Sequence, residues 1–406
     1  MRAGGRLVSV AASPGPGAWR ARIDVVTAVY LPALLLSFCS GLLVPTLPLF
    51  ASSLHASLGV VGVVLGAEAI GTLLADVPAG VLLGRFSDKA VMLAGLTLVA
   101  VSVLLLVPAR SVLLVIGLRL TSGLGLALFN LSRHAFLTEA TRGGRRGRAI
   151  STFGGVSRAG GFVGPAVGGL LAAALGLRAP FVLYAAVVVA ALVGVARFVP
   201  ATAPHPPSPG AAPRLPALRE FAAVLSTAGL AQLMAQTLRA GRKVLLPLYA
   251  SQVLGLDVGA VGFILSASAF ADLTLFYPAG WLMDRRGRKF AIVPSFLLQA
   301  VGLALVPLTH GFAALLAVAV GLGFGNGLSA GTMMTLGSDL APREALGAFL
   351  GAWRLVGDAG SSGGPLLVGA VAEALDLSMA AVAVAAVGVG AALVFAYRVP
   401  ETLRRA

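Results

Sequence analysis

Long apolar stretches recur along the chain, each ended by a charge, a glycine or a proline. A helix needs roughly 20 apolar residues to cross the hydrocarbon of a bilayer. Stretches of that kind predict helices at 24–49, 58–83, 90–108, 111–136, 149–174 and 178–198, then at 221–250, 258–283, 290–308, 311–336, 345–371 and 377–398. They are numbered here as helices 1 to 12. The interval from Ala201 to Ala217 carries six prolines (Pro204, Pro206, Pro207, Pro209, Pro213 and Pro216), which fix the backbone extended and remove amide donors. Ahead of helix 1, Met1 to Ile23 holds Arg2, Arg6, Arg20 and Arg22 and no apolar core, so it predicts a cytoplasmic tail and not a cleaved signal. The organisation expected is an N-terminal tail at 1–23, a six-helix bundle at 24–198, a cytoplasmic Pro-rich linker at 199–220, a second six-helix bundle at 221–398 and a C-terminal tail at 399–406.

Composition narrows the class. Hydrophobic residues make up 58% of the chain, charged ones 11%, and the mean hydropathy is +0.95. Soluble domains are about 25% charged, so a soluble enzyme, a disordered protein and a coiled coil are excluded. The formal charge of +15 is topological. With the N-terminus inside, 22 of the 30 lysines and arginines fall in tails and loops on the cytoplasmic side, and only Arg110 and Arg178 fall outside. The other six, Arg119, Arg158, Arg239, Arg242, Lys243 and Arg354, lie within spans. This bias predicts cytoplasmic termini and gives nucleic-acid binding no support. The lone Cys39 allows no internal disulfide and no cysteine-based zinc site, and no metal site or cofactor is expected. Usage rich in Ala, Gly and Arg, with three lysines, suggests a bacterial genome and hence the cytoplasmic membrane.

The two halves match at an offset of 200 residues, apart from a one-residue slip in helix 1. Pro78-Ala79-Gly80 recurs as Pro278-Ala279-Gly280, Gly123 and Gly125 as Gly323 and Gly325, and Gly164-Pro165 with Gly169 as Gly364-Pro365 with Gly369. In helix 1, Pro48-Leu49-Phe50 matches Pro247-Leu248-Tyr249 at 199. Such a register predicts two six-helix bundles related by an axis along the membrane normal, with a shared cavity between them. The fold class is therefore all-α integral membrane, with twelve helices in two pseudo-symmetric bundles.

The motifs then become specific. Gly280-Trp281-Leu282-Met283-Asp284-Arg285-Arg286-Gly287-Arg288-Lys289 resembles the signature loop of the major facilitator superfamily, in the place of its second copy between helices 8 and 9. The first copy, from Gly80 to Lys89, is degenerate: Gly84 stands for the aspartate and Ser87 for the glycine. Arg119 to Gly125 resembles the second family motif, Gly164-Pro165-Ala166-Val167-Gly168-Gly169 the motif of drug:proton antiporters, and Pro400-Glu401-Thr402 the common ending of helix 12. The resemblance implies a transporter and not an enzyme. It also implies a latch in which Asp284 caps helix 11 while Arg285 or Arg288 meets Asp339. Arg85 and Glu139 occupy the equivalent places in the first half, and Gly287 permits the tight turn. Gly160, Gly164 and Gly168 form a smooth face of helix 5, which Pro165 bends.

Ionisable residues in hydrocarbon cost at least about 2.5 kcal/mol and should face a cavity or a partner. Glu68 and Asp76 in helix 2, Asp272 in helix 8 and Asp358 in helix 11 are candidate proton carriers, with Arg119 as a coupling candidate. Glu68 and Asp272 have no partner nearby in sequence, whereas Arg354 and Asp358 share one face at i, i+4. Arg239, Arg242 and Lys243 share a face of helix 7, which the family resemblance makes cavity-lining together with helices 1, 4 and 10. Asn130, Asn326 and Arg158 join them as substrate-cavity candidates, with Phe263, Phe270 and Phe276 as apolar wall.

No phosphate loop or catalytic set is present, so an ion gradient should supply the energy. The expectation is proton-coupled efflux of amphipathic small molecules by a monomer, with substrate, protons and lipid as its partners. The alternatives are an uptake carrier for an organic anion or sugar, and a lipid flippase or non-transporting protein of the same fold.

Overall fold

The computed structural model describes residues 30–140, 146–200, 221–342 and 345–403; the side chains of 137–140 and 146–154, Ser157 and Gly347 lie outside that description. The expected tail at 1–23 and nearly all of the linker are thus outside the described residues. The first half contains α1 (Leu31–Ser53), α2 (Leu58–Arg85), α3 (Asp88–Leu106), α4 (Val112–Ala140), α5 (Arg146–Leu175) and α6 (Ala179–Phe198). The second contains α7 (Leu230–Leu248), α8 (Val258–Arg286), α9 (Arg288–Leu308), α10 (Phe312–Leu340), α11 (Leu346–Ala374) and α12 (Leu377–Tyr397). Ten of the twelve are long and apolar enough to cross a membrane. The two that fall short, α7 and α11, are those holding Arg239, Arg242, Lys243, Arg354 and Asp358.

Each half repeats one packing plan. In the first, α1 packs on α5 and α6, α2 on α4, and α3 on α4 and α6; in the second, α7 packs on α11 and α12, α8 on α10, and α9 on α10 and α12. The halves meet along two seams, α2 with α11 and α5 with α8. Glycine makes the inner packing possible, because helices in lipid gain little from burying apolar area and rely on close approach. The face of Gly160, Gly164 and Gly168 lies on the backbone of α1: a methyl group on Gly160 would sit 2.5 Å from the carbonyl of Leu34. Gly360 and Gly364 face the backbone of α7 in the same way.

The two signature turns differ as their sequences do. Gly287 adopts φ 113°, a region that only glycine enters without strain. At the matching place Ser87 has φ −65° and caps α3, its hydroxyl accepting from the Ala90 amide at 3.3 Å. These turns define one face of the molecule, called here the signature face. The short connections at 54–57, 176–178 and 254–257 mark the opposite, loop face.

Candidate functional site

A cavity of about 470 Å³ lies between the halves. From the first half come Ser37, Ser40, Gly41 and Val44 of α1 and Arg158, Gly161 and Pro165 of α5. From the second come Arg242, Lys243 and Leu246 of α7, Leu265, Ser268, Ala269 and Asp272 of α8, and Asn326 of α10. Phe263 and Phe270 are not among them: they are 55% and 53% exposed on another side of α8, so the wall is more polar than the sequence predicts. Asn130 is also not among the lining residues.

Toward the loop face the cavity is sealed by backbone contact. A Cβ on Gly62 would lie 2.6 Å from the Pro365 carbonyl and 2.8 Å from the Gly369 Cα; on the other seam, one on Gly169 would lie 2.6 Å from the Val258 carbonyl and 2.9 Å from the Gly262 Cα. Side chains reinforce both closures. Gln252 donates to Ser52 at 3.1 Å, and Glu373 accepts from the Gly59 amide at 3.1 Å. Beside Pro165, the Ser266 hydroxyl accepts from the Ala166 amide and donates to the Phe162 carbonyl, both at 2.8 Å. Those two groups pair with each other in an unbroken helix, so α8 completes the hydrogen bonding of α5.

The four buried acids are all paired, including Glu68 and Asp272, which have no partner nearby in sequence. Glu68 meets Arg119 of α4 at 2.6 Å and accepts from Ser122 at 3.2 Å. Asp272 meets Arg158 across the α5–α8 seam at 2.6 Å, and the Arg158 guanidinium also lies 5.1 Å from the Phe276 ring. Asp76 does not belong with Arg85, which is exposed at the signature face. It meets Arg354 of α11 at 3.3 Å, and the same guanidinium holds Asp358 at 3.4 Å. The reason these partners escape sequence reading is spacing: each except Asp358 comes from a helix far along the chain.

The three cations of α7 do not act as one face. Arg239 turns to the interruption of α10, donating to the Ser329 hydroxyl at 2.6 Å and its carbonyl at 3.3 Å, with its guanidinium 5.3 Å from Phe296. The same carbonyl also accepts from the Thr332 hydroxyl at 2.8 Å, so the guanidinium joins a turn that is already hydrogen-bonded. Arg242 donates to the Leu322 carbonyl at 2.7 Å. Lys243 is exposed into the cavity and makes no hydrogen bond or ion pair among the described residues. The amide oxygen of Asn326 is buried there without a partner.

At the signature face the expected latch takes another form. Asp284 is 78% exposed and pairs with Arg288 at 3.1 Å, capping no facing helix. Arg288 does meet Asp339, at 3.1 Å, while Arg285 stacks over Trp281 at 4.6 Å. Glu401 accepts from the Arg288 and Lys289 amides at 2.9 and 3.0 Å, so the end of the chain caps α9. Burial raises the Glu401 pKa, but hydrogen bonds from the Leu403, Lys289, Arg288 and Thr402 amides outweigh it and hold the carboxyl below its ordinary value. Thr402 and Asp339 are joined at 2.7 Å, and the Lys289 ammonium donates to the Ala396 carbonyl at 2.8 Å. Every one of these contacts is internal to the second half. A Cβ on Gly280 would meet nothing within 4 Å. The side chain of Glu139 lies outside the described residues. Arg133, which is not among the candidates read from the sequence, is buried in α4 with its guanidinium 5.1 Å from Phe129.

Comparison with known proteins agrees with this architecture. The profile of the Major Facilitator Superfamily matches residues 29–239 and again 228–406. Multidrug resistance protein 2 of Bacillus subtilis (strain 168) is 28% identical over 153 residues, and Multidrug resistance protein 1 of the same strain is 27% identical over 150. Those matches cover 38% and 37% of this chain, and 38% and 39% of the relatives. The chain thus spans under two fifths of the length of either relative. Among solved structures, a bacterial homolog of the human lysosomal transporter Spinster aligns with a TM-score of 0.77 at 14% identity, over 92% of this chain and 96% of that one.

Proposed function

The chain belongs to the Major Facilitator Superfamily, and within it we propose a proton-coupled secondary exporter of amphipathic small molecules that works by alternating access. The observation that carries this reading is the central polar cavity, closed toward one face by glycine seams and flanked by ion pairs that join the halves. The distribution of arginines puts the loop face outside, so this conformation accepts a molecule from the cytoplasm. The names of the two Bacillus relatives support export.

Export against a gradient requires that proton binding change the energy of closing one face. The α2–α11 seam offers a site: Asp76 and Asp358 share the single Arg354 guanidinium. Two carboxylates beside one guanidinium repel each other in a low dielectric, and one proton relieves that repulsion. A proton on Asp76 leaves Arg354 paired with Asp358 of its own helix, so the α2–α11 seam loses that cross-link and separates at lower cost. The Arg158–Asp272 pair holds the other seam and acts as a gate. The open signature latch fits the same state, since among the described residues Asp284 pairs only within its own half.

The test is flux in liposomes under an imposed pH gradient. Asp358→Asn removes the carboxylate repulsion that draws the proton, so gradient-driven transport of an amphiphile should be lost while exchange of labelled for unlabelled substrate persists. Full gradient-driven transport by this variant would refute the proton role of the cluster.

A further inference from the structure

The internal repeat allows the cavity to be compared with itself, and the comparison singles out α7. At the helix-1 offset of 199, Arg242 and Lys243 correspond to Leu43 and Val44 of α1. The backbone plan is shared, yet one wall is apolar where the other carries two cations. Val44 and Lys243 both line the cavity.

The cations there are not balanced. Among the described lining residues, Arg158, Arg242 and Lys243 face one acid, Asp272, which is already committed to Arg158 at 2.6 Å. Among the described residues Arg242 donates only to the neutral carbonyl of Leu322, and Lys243 makes no hydrogen bond or ion pair. A cation kept without a counter-charge at this depth is costly, and nothing in the packing of α7 requires it, because Leu43 and Val44 fill the same places in α1. The unpartnered amide oxygen of Asn326 stands in the same cavity as an acceptor, suited to a donor group on the body of a substrate and not to an anionic end.

We infer that the substrate is an amphipathic organic anion, whose charged end is bound by Lys243 with Arg242 while its apolar body lies toward Val44 of α1. This rests on reading the cavity as the transport site but not on the direction of transport. The proton cluster of Asp76, Arg354 and Asp358 lies on the other seam, so the anion does not compete with it for a cation.

The probes are 4-butylbenzenesulfonate, its neutral sulfonamide and (4-butylphenyl)trimethylammonium, which share an apolar body and differ in permanent charge. Binding to the purified full-length protein in detergent is measured by titration calorimetry. The sulfonate should bind about tenfold or more tighter than the sulfonamide, the difference expected of one charge-assisted hydrogen bond. Lys243→Met should lower sulfonate affinity by that factor and leave the sulfonamide unchanged, and Lys243→Arg should restore it. Equal binding of all three probes, tighter binding of the ammonium, or an unchanged ratio in a monodisperse Lys243→Met protein would overturn the inference. Flux then separates it from the export reading. Selective sulfonate binding with proton-driven accumulation inward keeps the anion site and defeats export. Gradient-driven export of the ammonium alone keeps export and defeats the anion site.

Discussion

If the glycine seams close the loop face, adding one methyl group should open it. A Cβ on Gly62 would stand 2.6 Å from the Pro365 carbonyl, where ordinary contact begins at 3.4 Å, so α2 and α11 must separate by about 0.8 Å there. The opposing atoms are backbone, so no rotamer change absorbs the overlap. Overpacking of this kind costs about 1–3 kcal/mol, and the whole cost falls on the conformation in which these helices touch. The ratio of open to closed loop face should therefore rise about 5- to 150-fold. Spin labels at Ser52→Cys and Gln252→Cys, in a Cys39→Ala background, report that gap, since the two native side chains are hydrogen-bonded across it at 3.1 Å. Pulsed electron resonance should show a growing long-distance population in Gly62→Ala. Gly80→Ala, on the same helix but with nothing within 4 Å, should match the parent. A Gly62→Ala distribution that superimposes on the parent, in a folded and monodisperse protein, would refute the seam as the closing element.

Three other outcomes follow from the charges. Glu68→Gln leaves the 7%-exposed Arg119 without its counter-charge and should lower stability by about 3 kcal/mol in thermal unfolding, with part recovered when Arg119→Leu is added. In the label assay, Arg158→Leu and Asp272→Asn should each shift the gap while the double substitution shifts it no further, because both remove one cross-seam pair, worth about 0.5–3 kcal/mol of coupling. Additive shifts would show the pair to be incidental. The Glu401 carboxyl is held below its ordinary value, so its contribution is present above the unfolded pKa near 4.5 and is lost as pH falls through the lower folded one. Protection of the Arg288 and Lys289 amides from hydrogen exchange should fall with it, and Glu401→Gln should remove that pH dependence.

The architecture was legible because membrane helices announce themselves by length and apolarity, and because glycines and prolines repeated in one register. All twelve helices are represented among the described residues, with described ends displaced by a few residues; α7 is flanked by π-helical turns at Leu225–Gly229 and Tyr249–Val253. The charge partners were not legible. Arg354 with Asp358 could be read from one turn of helix, but Arg158 with Asp272 is separated by 114 residues and Arg354 with Asp76 by 278. Of the shared face of Arg239, Arg242 and Lys243, the last two line the cavity, while the interruption of α10 at Ser329 draws Arg239 away. That interruption had a signal in Gly327, Ser329 and Gly331, the last at φ 76°.

The repeat also shows where symmetry was given up. Position 158 in α5 corresponds to position 358 in α11, and the chain puts arginine at one and aspartate at the other. Phe276, beneath the Arg158 guanidinium, corresponds to Asp76. Two seams with one backbone plan thus hold opposite balances: an arginine with one acid and an aromatic ring on α5–α8, and an arginine shared by two acids on α2–α11. A proton added to the first seam breaks a neutral pair and strands a cation. A proton added to Asp76 of the second relieves the repulsion of two carboxylates and leaves the Arg354–Asp358 pair behind within α11. Only the second gains from protonation without losing its remaining ion pair, so a proton gradient acts on α2–α11 while α5–α8 stays a gate beside the cavity.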